Sequence, residues 1–118
     1  MRRLLLTLAA LALTSGQAFA HAQLVRADPR VGSSVAAAPT RLWLRFDEVV
    51  RTAGSGAELV APDGRVTKLS LSQDPKDVRA VVAPLPAGLG PGRYEVRWRA
   101  LSPDAHHTQG DFSFTVER

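Results

Sequence analysis

Three segments of the chain alternate apolar and polar side chains with a period of two, and this alternation constrains the fold most. In residues 41–46, 93–99 and 111–117 every second side chain is apolar. Successive side chains of a β-strand point to opposite faces, so each segment predicts a strand with one buried face. The predicted core residues are Leu42, Leu44, Phe46, Tyr94, Val96, Trp98, Phe112, Phe114 and Val116.

Four weaker strands are predicted around and between these segments, at residues 23–27, 57–60, 65–71 and 77–83. Turn-forming residues separate them, and the small residues at 35–39 predict a loop. No segment shows a convincing helical period. Short strands at this spacing indicate an all-β fold, a seven-stranded antiparallel Greek-key β-sandwich or barrel of the immunoglobulin-like or cupredoxin-like kind.

The first twenty residues predict a secretory signal peptide. Two arginines precede an apolar run over residues 4–13, and Ala18 and Ala20 occupy the positions that signal peptidase reads. The run is too short for a transmembrane helix, which needs about 20 residues. We therefore expect a periplasmic protein, cleaved after Ala20, with one domain at residues 21–118. The alternative is an uncleaved N-terminal anchor.

Composition excludes several function classes for the mature chain. The sequence has no cysteine, and its single methionine is Met1, which would leave with the signal peptide. Thiolate and thioether metal ligands and thiol redox chemistry are therefore excluded. Without the two N-terminal arginines, 13 basic residues stand against 11 acidic ones, and no basic cluster is interleaved with aromatics. Nucleic-acid binding is not indicated.

The histidines mark the candidate site. His21 would be the first mature residue, and its α-amine and imidazole together can chelate a metal. Nitrogen ligands with a carboxylate suit tetragonal Cu(II). Asp104 and His106 are two residues apart in the turn before the last strand, so on an extended segment both would face one side. The alternatives are a histidine at the N-terminus by accident, and a polar turn in which Asp104 bonds the backbone.

Together these features resemble the CopC-type periplasmic copper-resistance proteins. The residues that carry the resemblance are 21–25, 28–29, 32–33, 39, 42–50, 92–102, 104, 106, 110 and 112–116. They span essentially all of residues 21–118. The most specific parts are His21 and the Asp104-X-His106 motif, which precedes a Gly-X-Phe-X-Phe strand.

The resemblance implies a Cu(II) site in which His21 supplies its amine and imidazole, and Asp104 and His106 complete the ligand set. In some members a carboxylate at the end of the Phe-containing strand also lies near the metal. That position is most similar to Glu48, although a slip of one residue would select Asp47.

The chain departs from the family pattern at three points. The methionine-rich Cu(I) loop of some members is not carried over, because the mature chain has no methionine. Ala105 stands where many relatives have glycine. His107 has no assigned role; we expect an exposed side chain, and the alternative is a substitute ligand.

The resulting prediction is a non-enzymatic, monomeric copper-binding protein of copper resistance and homeostasis. It would buffer Cu(II) or deliver it to a CopD-type inner-membrane importer, a partner that the resemblance implies. One alternative is a copper-dependent oxidative enzyme of the histidine-brace type, which usually needs a larger domain with long loops. The other is a metal-free structural sandwich module, which would not bind Cu(II).

Overall fold

The computed structural model describes residues 22–118, which form nine β-strands in two sheets. The predicted signal peptide and His21 lie outside the described residues. Residues 22–118 contain no helix, and hence none long and apolar enough to cross a membrane. The strands are β1 (Leu24–Asp28), β2 (Ser34–Val35), β3 (Arg41–Phe46), β4 (Arg51–Val60), β5 (Val66–Leu69), β6 (Ser72–Asp74), β7 (Asp77–Pro84), β8 (Gly92–Leu101) and β9 (His107–Val116).

The two sheets have the strand orders β1-β3-β7-β6 and β2-β9-β8-β4-β5. Every pairing is antiparallel except that of β2 with β9, which is parallel. The chain crosses from one sheet to the other after β1, β2, β3, β5 and β7, which interleaves the connections of the two sheets. The predicted all-β Greek-key sandwich is confirmed.

All seven predicted strands are present, and two short strands are added to them. β2 extends the edge of the second sheet beside β9, and β6 forms a hairpin with β7. Val35 therefore belongs to a strand, whereas the small residues at 35–39 predicted a loop. A strand of two or three residues is too short to show an alternating period, so its pairing depends on the neighbouring strand.

The predicted core is confirmed: all nine residues are buried, and none is more than 7% exposed. The Phe46 and Trp98 rings meet edge to face across the two sheets, with centroids 5.2 Å apart. Tyr94 and Phe114 stack within one sheet at 5.5 Å. Such aromatic pairs add stabilisation beyond the burial of their area.

Trp98 packs closely against Gly110, which lies opposite it on the neighbouring strand β9. A Cβ added at Gly110 would lie 2.5 Å from the ring carbon Cζ2 of Trp98. Glycine is therefore required where the indole covers the neighbouring strand. This packing fixes the register of the last hairpin.

Two side chains on the outer face of β3 bind the β6–β7 hairpin. The indole Nε1 of Trp43 donates to Asp74 Oδ2 at 3.0 Å. Arg45 Nε donates to Asp77 Oδ2 at 2.9 Å. Trp43 is half-buried, so the alternation of β3 separates a fully apolar face from an amphipathic one.

We expect Phe114→Ala to lower the free energy of unfolding by about 3–5 kcal/mol, because it removes a fully buried aromatic ring and leaves a cavity. Arg93→Ala, on the exposed face of the adjacent strand, should change it by about 0.5 kcal/mol or less. Urea unfolding of the metal-free protein measures both. Equal losses in the two variants would mean that the strand faces are assigned wrongly.

Candidate metal centre

The candidate centre lies on the turn between β8 and β9. These strands pair without interruption from Gly92 opposite Val116 to Leu101 opposite His107. Residues 102–106 close the hairpin through two backbone bonds of 3.0 Å, from the Ser102 N–H to the His106 carbonyl and from the Ala105 N–H to the Ser102 carbonyl. Two paired strands of ten residues each thus hold a five-residue turn at their end.

Asp104 and His106 meet within this turn. Oδ2 of Asp104 lies 2.9 Å from Nδ1 of His106, and the two side chains are 47% and 55% exposed. The predicted proximity holds, but its cause differs from the extended segment that the spacing indicated. Ala105 adopts a left-handed backbone with φ of 68°, which folds the two side chains toward each other. An L-residue with a Cβ rarely takes this conformation.

Ser102 forms the floor of the turn and is fully buried. Its hydroxyl donates to Oδ1 of Asp104 and lies 3.1 Å from the carbonyl oxygen of His106. The hydrogen bond from Ser102, followed by that of His106, lowers the pKa of Asp104 to about 2. Asp104 is therefore an anion at neutral pH. This role of Ser102 was not predicted from the sequence, although a serine two residues before a turn aspartate is a recognisable signal.

A second hydrogen bond ties the start of the described chain to the same hairpin. Thr108 Oγ donates to the carbonyl oxygen of Ala22 at 2.6 Å, and Ala22 is almost fully buried. Thr108 follows His106 by two residues, so Ala22 lies next to the turn. The role of Thr108 was not predicted from the sequence either. Its position on the inward face of β9, in phase with Phe112 and Phe114, was the available signal.

Asp47 holds the next residue of the N-terminal segment. Its Oδ1 accepts the Gln23 N–H at 2.8 Å, and its own N–H donates to the Gln23 carbonyl at 3.0 Å. Its neighbour Glu48 is half-buried, and the Glu48 carboxylate has no hydrogen bond or ion pair to another residue in 22–118. The structure thus distinguishes two adjacent carboxylates that the sequence left interchangeable.

The described chain therefore brings together two of the four predicted ligands, Asp104 and His106. Glu48 does not join them, since no three histidine, aspartate or glutamate side chains within residues 22–118 form a group able to hold a metal. The fourth, His21, lies outside the described residues. His107 is exposed at the start of β9, as expected, and its strand neighbour Thr108 points the opposite way, toward Ala22.

These features define a class of protein: a small Greek-key sandwich with an exposed Asp-X-His pair beside the start of its first strand. The family model of the CopC domain matches residues 24–117. The chain therefore belongs to the CopC family, and the resemblance found in the sequence is confirmed.

Individual relatives cover nearly the same length. Copper resistance protein C of Pseudomonas syringae pv. tomato is 37% identical over 114 residues, covering 89% of this chain and 87% of that protein. Protein YobA of Escherichia coli K12 is 35% identical over 106 residues, covering 89% and 86%.

Two solved structures have the same fold. CopC from Methylosinus trichosporium superimposes with a TM-score of 0.76 at 32% identity, covering 82% of this chain and 94% of that one. PcoC, a methionine-rich copper resistance protein from Escherichia coli, gives a TM-score of 0.70 at 31% identity, covering 83% and 100%.

We expect Ser102→Ala to raise the pKa of Asp104 toward its ordinary value of 3.8, because Ser102 is the main cause of the lowering. Carboxyl carbon NMR titration of the metal-free protein should give a midpoint near 2 for the parent and a higher one for the variant. Ser113→Ala, a matched change on the outer face of β9, should not change the titration midpoint of Asp104.

The sign of the accompanying stability effect follows from the same shift. The folded state holds the carboxylate with a lowered pKa, so its contribution is present above about pH 4 and is lost as pH falls through about 2. The destabilisation caused by Asp104→Asn should shrink over that range. A penalty that grows as the pH falls, or a Ser102→Ala midpoint equal to the parent's, would contradict the assignment.

Proposed function

We propose that the mature protein holds one Cu(II) ion outside the cytoplasm through His21, Asp104 and His106, and that copper is its cargo. His21 contributes its α-amine and imidazole once the signal peptide is removed. Asp104 contributes an anionic oxygen and His106 an imidazole nitrogen. The protein would then buffer the ion or pass it to a membrane importer of the CopD type.

The observation that carries this proposal is the 2.6 Å hydrogen bond from Thr108 to the carbonyl of Ala22. A peptide bond joins Ala22 to His21, and consecutive Cα atoms are about 3.8 Å apart across a trans peptide. Thr108 in turn is two residues from His106. The bond therefore supports a site that combines the first mature residue with the β8–β9 turn.

The chemistry of the turn suits a divalent cation. Asp104 has a pKa of about 2, so no proton competes for its oxygens near neutral pH. Each carboxylate oxygen has more than one lone pair and can bind a metal while it accepts a hydrogen bond. Nδ1 of His106 and Oδ2 of Asp104 lie 2.9 Å apart, so when Nδ1 carries no proton its lone pair and the carboxylate oxygen can face the same ion.

In this proposal the two carboxylates that follow β3, those of Asp47 and Glu48, have different roles. Asp47 already accepts the Gln23 amide, which favours a structural role. The Glu48 carboxylate has no such commitment among residues 22–118, which favours Glu48 as the carboxylate that approaches the metal. Glu48 is therefore retained as a candidate fourth ligand, one that would have to approach Asp104 and His106 when the ion binds.

The relatives support copper as the cargo, since several carry the name copper resistance protein C. The half-exposed side chains of Asp104 and His106 suit an ion that must be taken up and released. Binding through amine and imidazole nitrogens also suits Cu(II), which stands at the top of the affinity order for divalent first-row metals. These features support a carrier rather than an enzyme.

Replacement of His106 tests the ligand set. His106→Ala should weaken Cu(II) binding by about 100-fold or more, because even groups that merely orient a ligand contribute about 10- to 100-fold. His107→Ala is the matched control: it removes an adjacent, exposed imidazole that we expect not to bind the ion. Competitive titration against a chelator measures both affinities on the mature protein.

Both variants should unfold within about 0.5 kcal/mol of the parent in the absence of metal, since each change lies on the surface. This condition separates loss of a ligand from loss of the fold. A folded His106→Ala protein that keeps parental affinity while His107→Ala loses it would move the ligand to His107. Parental affinity in both variants would refute the proposed site.

A further inference from the structure

We propose that Thr108 and Asp47 are positioning residues for the copper site, which together form a clamp on the first residues of the mature chain. This N-terminal clamp (Thr108 and Asp47) would fix where the α-amine of His21 can lie relative to Asp104 and His106. The inference rests on the proposed function and adds to it two residues that bind no metal themselves.

The clamp consists of three hydrogen bonds on consecutive residues. Thr108 Oγ holds the Ala22 carbonyl at 2.6 Å, Asp47 Oδ1 holds the Gln23 amide at 2.8 Å, and the Asp47 amide holds the Gln23 carbonyl at 3.0 Å. β1 begins only at Leu24, so these bonds act before the first regular strand.

The two partners of the clamp come from different sheets. Thr108 belongs to β9 in the five-stranded sheet, and Asp47 directly follows β3 in the four-stranded sheet. The N-terminal segment is therefore held from both sides at one end of the sandwich. A chain terminus without such restraints is usually poorly ordered, and a ligand on it would have to be ordered by the metal itself.

The surroundings of the Thr108 side chain indicate that its hydroxyl serves to form a hydrogen bond rather than to pack. It faces the same side of the sheet as its cross-strand partner Ala100, which is fully buried. Valine has nearly the same shape and would suit that face as well, because even a partly buried hydroxyl is costly unless it is hydrogen-bonded. The hydroxyl is compensated by its bond to the carbonyl of Ala22, the residue that follows His21.

Thr108→Val tests the clamp because it keeps the shape and removes the donor. We expect Cu(II) binding to weaken about 10- to 100-fold, the range for groups that orient a metal ligand. The electron paramagnetic resonance spectrum of the bound Cu(II) should change as well, since the amine would no longer be held in one place. Thr108→Ser, which keeps the hydroxyl, should restore the parental affinity and spectrum.

Thr115→Val provides the matched control, since it makes the same change on the outer face of the same strand near its far end. It should bind Cu(II) as the parent does. A second variant, Asp47→Ala, tests the other half of the clamp without metal. Hydrogen exchange of the Gln23 amide should be faster in the metal-free variant than in the metal-free parent.

The outcomes separate this inference from the function on which it rests. If His106→Ala loses copper but Thr108→Val keeps parental affinity and spectrum, the clamp is wrong and the copper site stands. Unchanged exchange at Gln23 in Asp47→Ala would also overturn the clamp. If His106→Ala binds copper as tightly as the parent, the proposed site fails and the positioning role fails with it.

Discussion

The uninterrupted pairing of β8 with β9 is the constraint on which the rest of the molecule depends. One face of this hairpin supplies Tyr94, Trp98, Phe112 and Phe114 to the core, and its closed end carries the Asp104–His106 pair. Because the side-chain period of a strand is two, a slip of one residue would expose the aromatic rings. It would also move the turn away from Ala22. Gly110 disfavours such a slip, because the Trp98 ring fits only against a residue without a Cβ.

The packing that stabilises the fold also positions the candidate site. The protein has no cysteine, so the fold rests on the apolar core without disulfides. The Phe46–Trp98 contact joins the two sheets inside that core. Just beyond Phe46, Asp47 binds Gln23, and at the same end Thr108 binds Ala22. The packing that joins the sheets therefore also brings the N-terminal segment to the hairpin turn.

The strands and the core could be predicted because the alternation of apolar and polar side chains along a strand shows which of its faces is buried. Within the six residues of β3, the alternation of Leu42, Leu44 and Phe46 identifies the buried face of the strand. The turn was harder, since Asp104 and His106 approach each other through the left-handed backbone of Ala105, which spacing alone does not reveal.

The roles of Thr108 and Asp47 depend on partners far along the chain. Thr108 binds a residue 86 positions earlier, and Asp47 binds one 24 positions earlier. Such bonds form only once the fold has assembled both sheets, so a local pattern can place Thr108 on the inward face of β9 but cannot identify its partner. The sequence could not distinguish Asp47 from Glu48 for the same reason, because only the folded chain shows which carboxylate accepts the hydrogen bond of the Gln23 amide.

The central claim is that the free amine of His21 binds copper together with the β8–β9 turn. The most direct test compares Cu(II) affinity of the mature chain with that of a chain carrying one glycine before His21. The added residue converts the amine into a peptide amide and leaves every described side chain in place. We expect a much weaker complex and unchanged unfolding of the metal-free protein. Equal affinity of the two chains would contradict it.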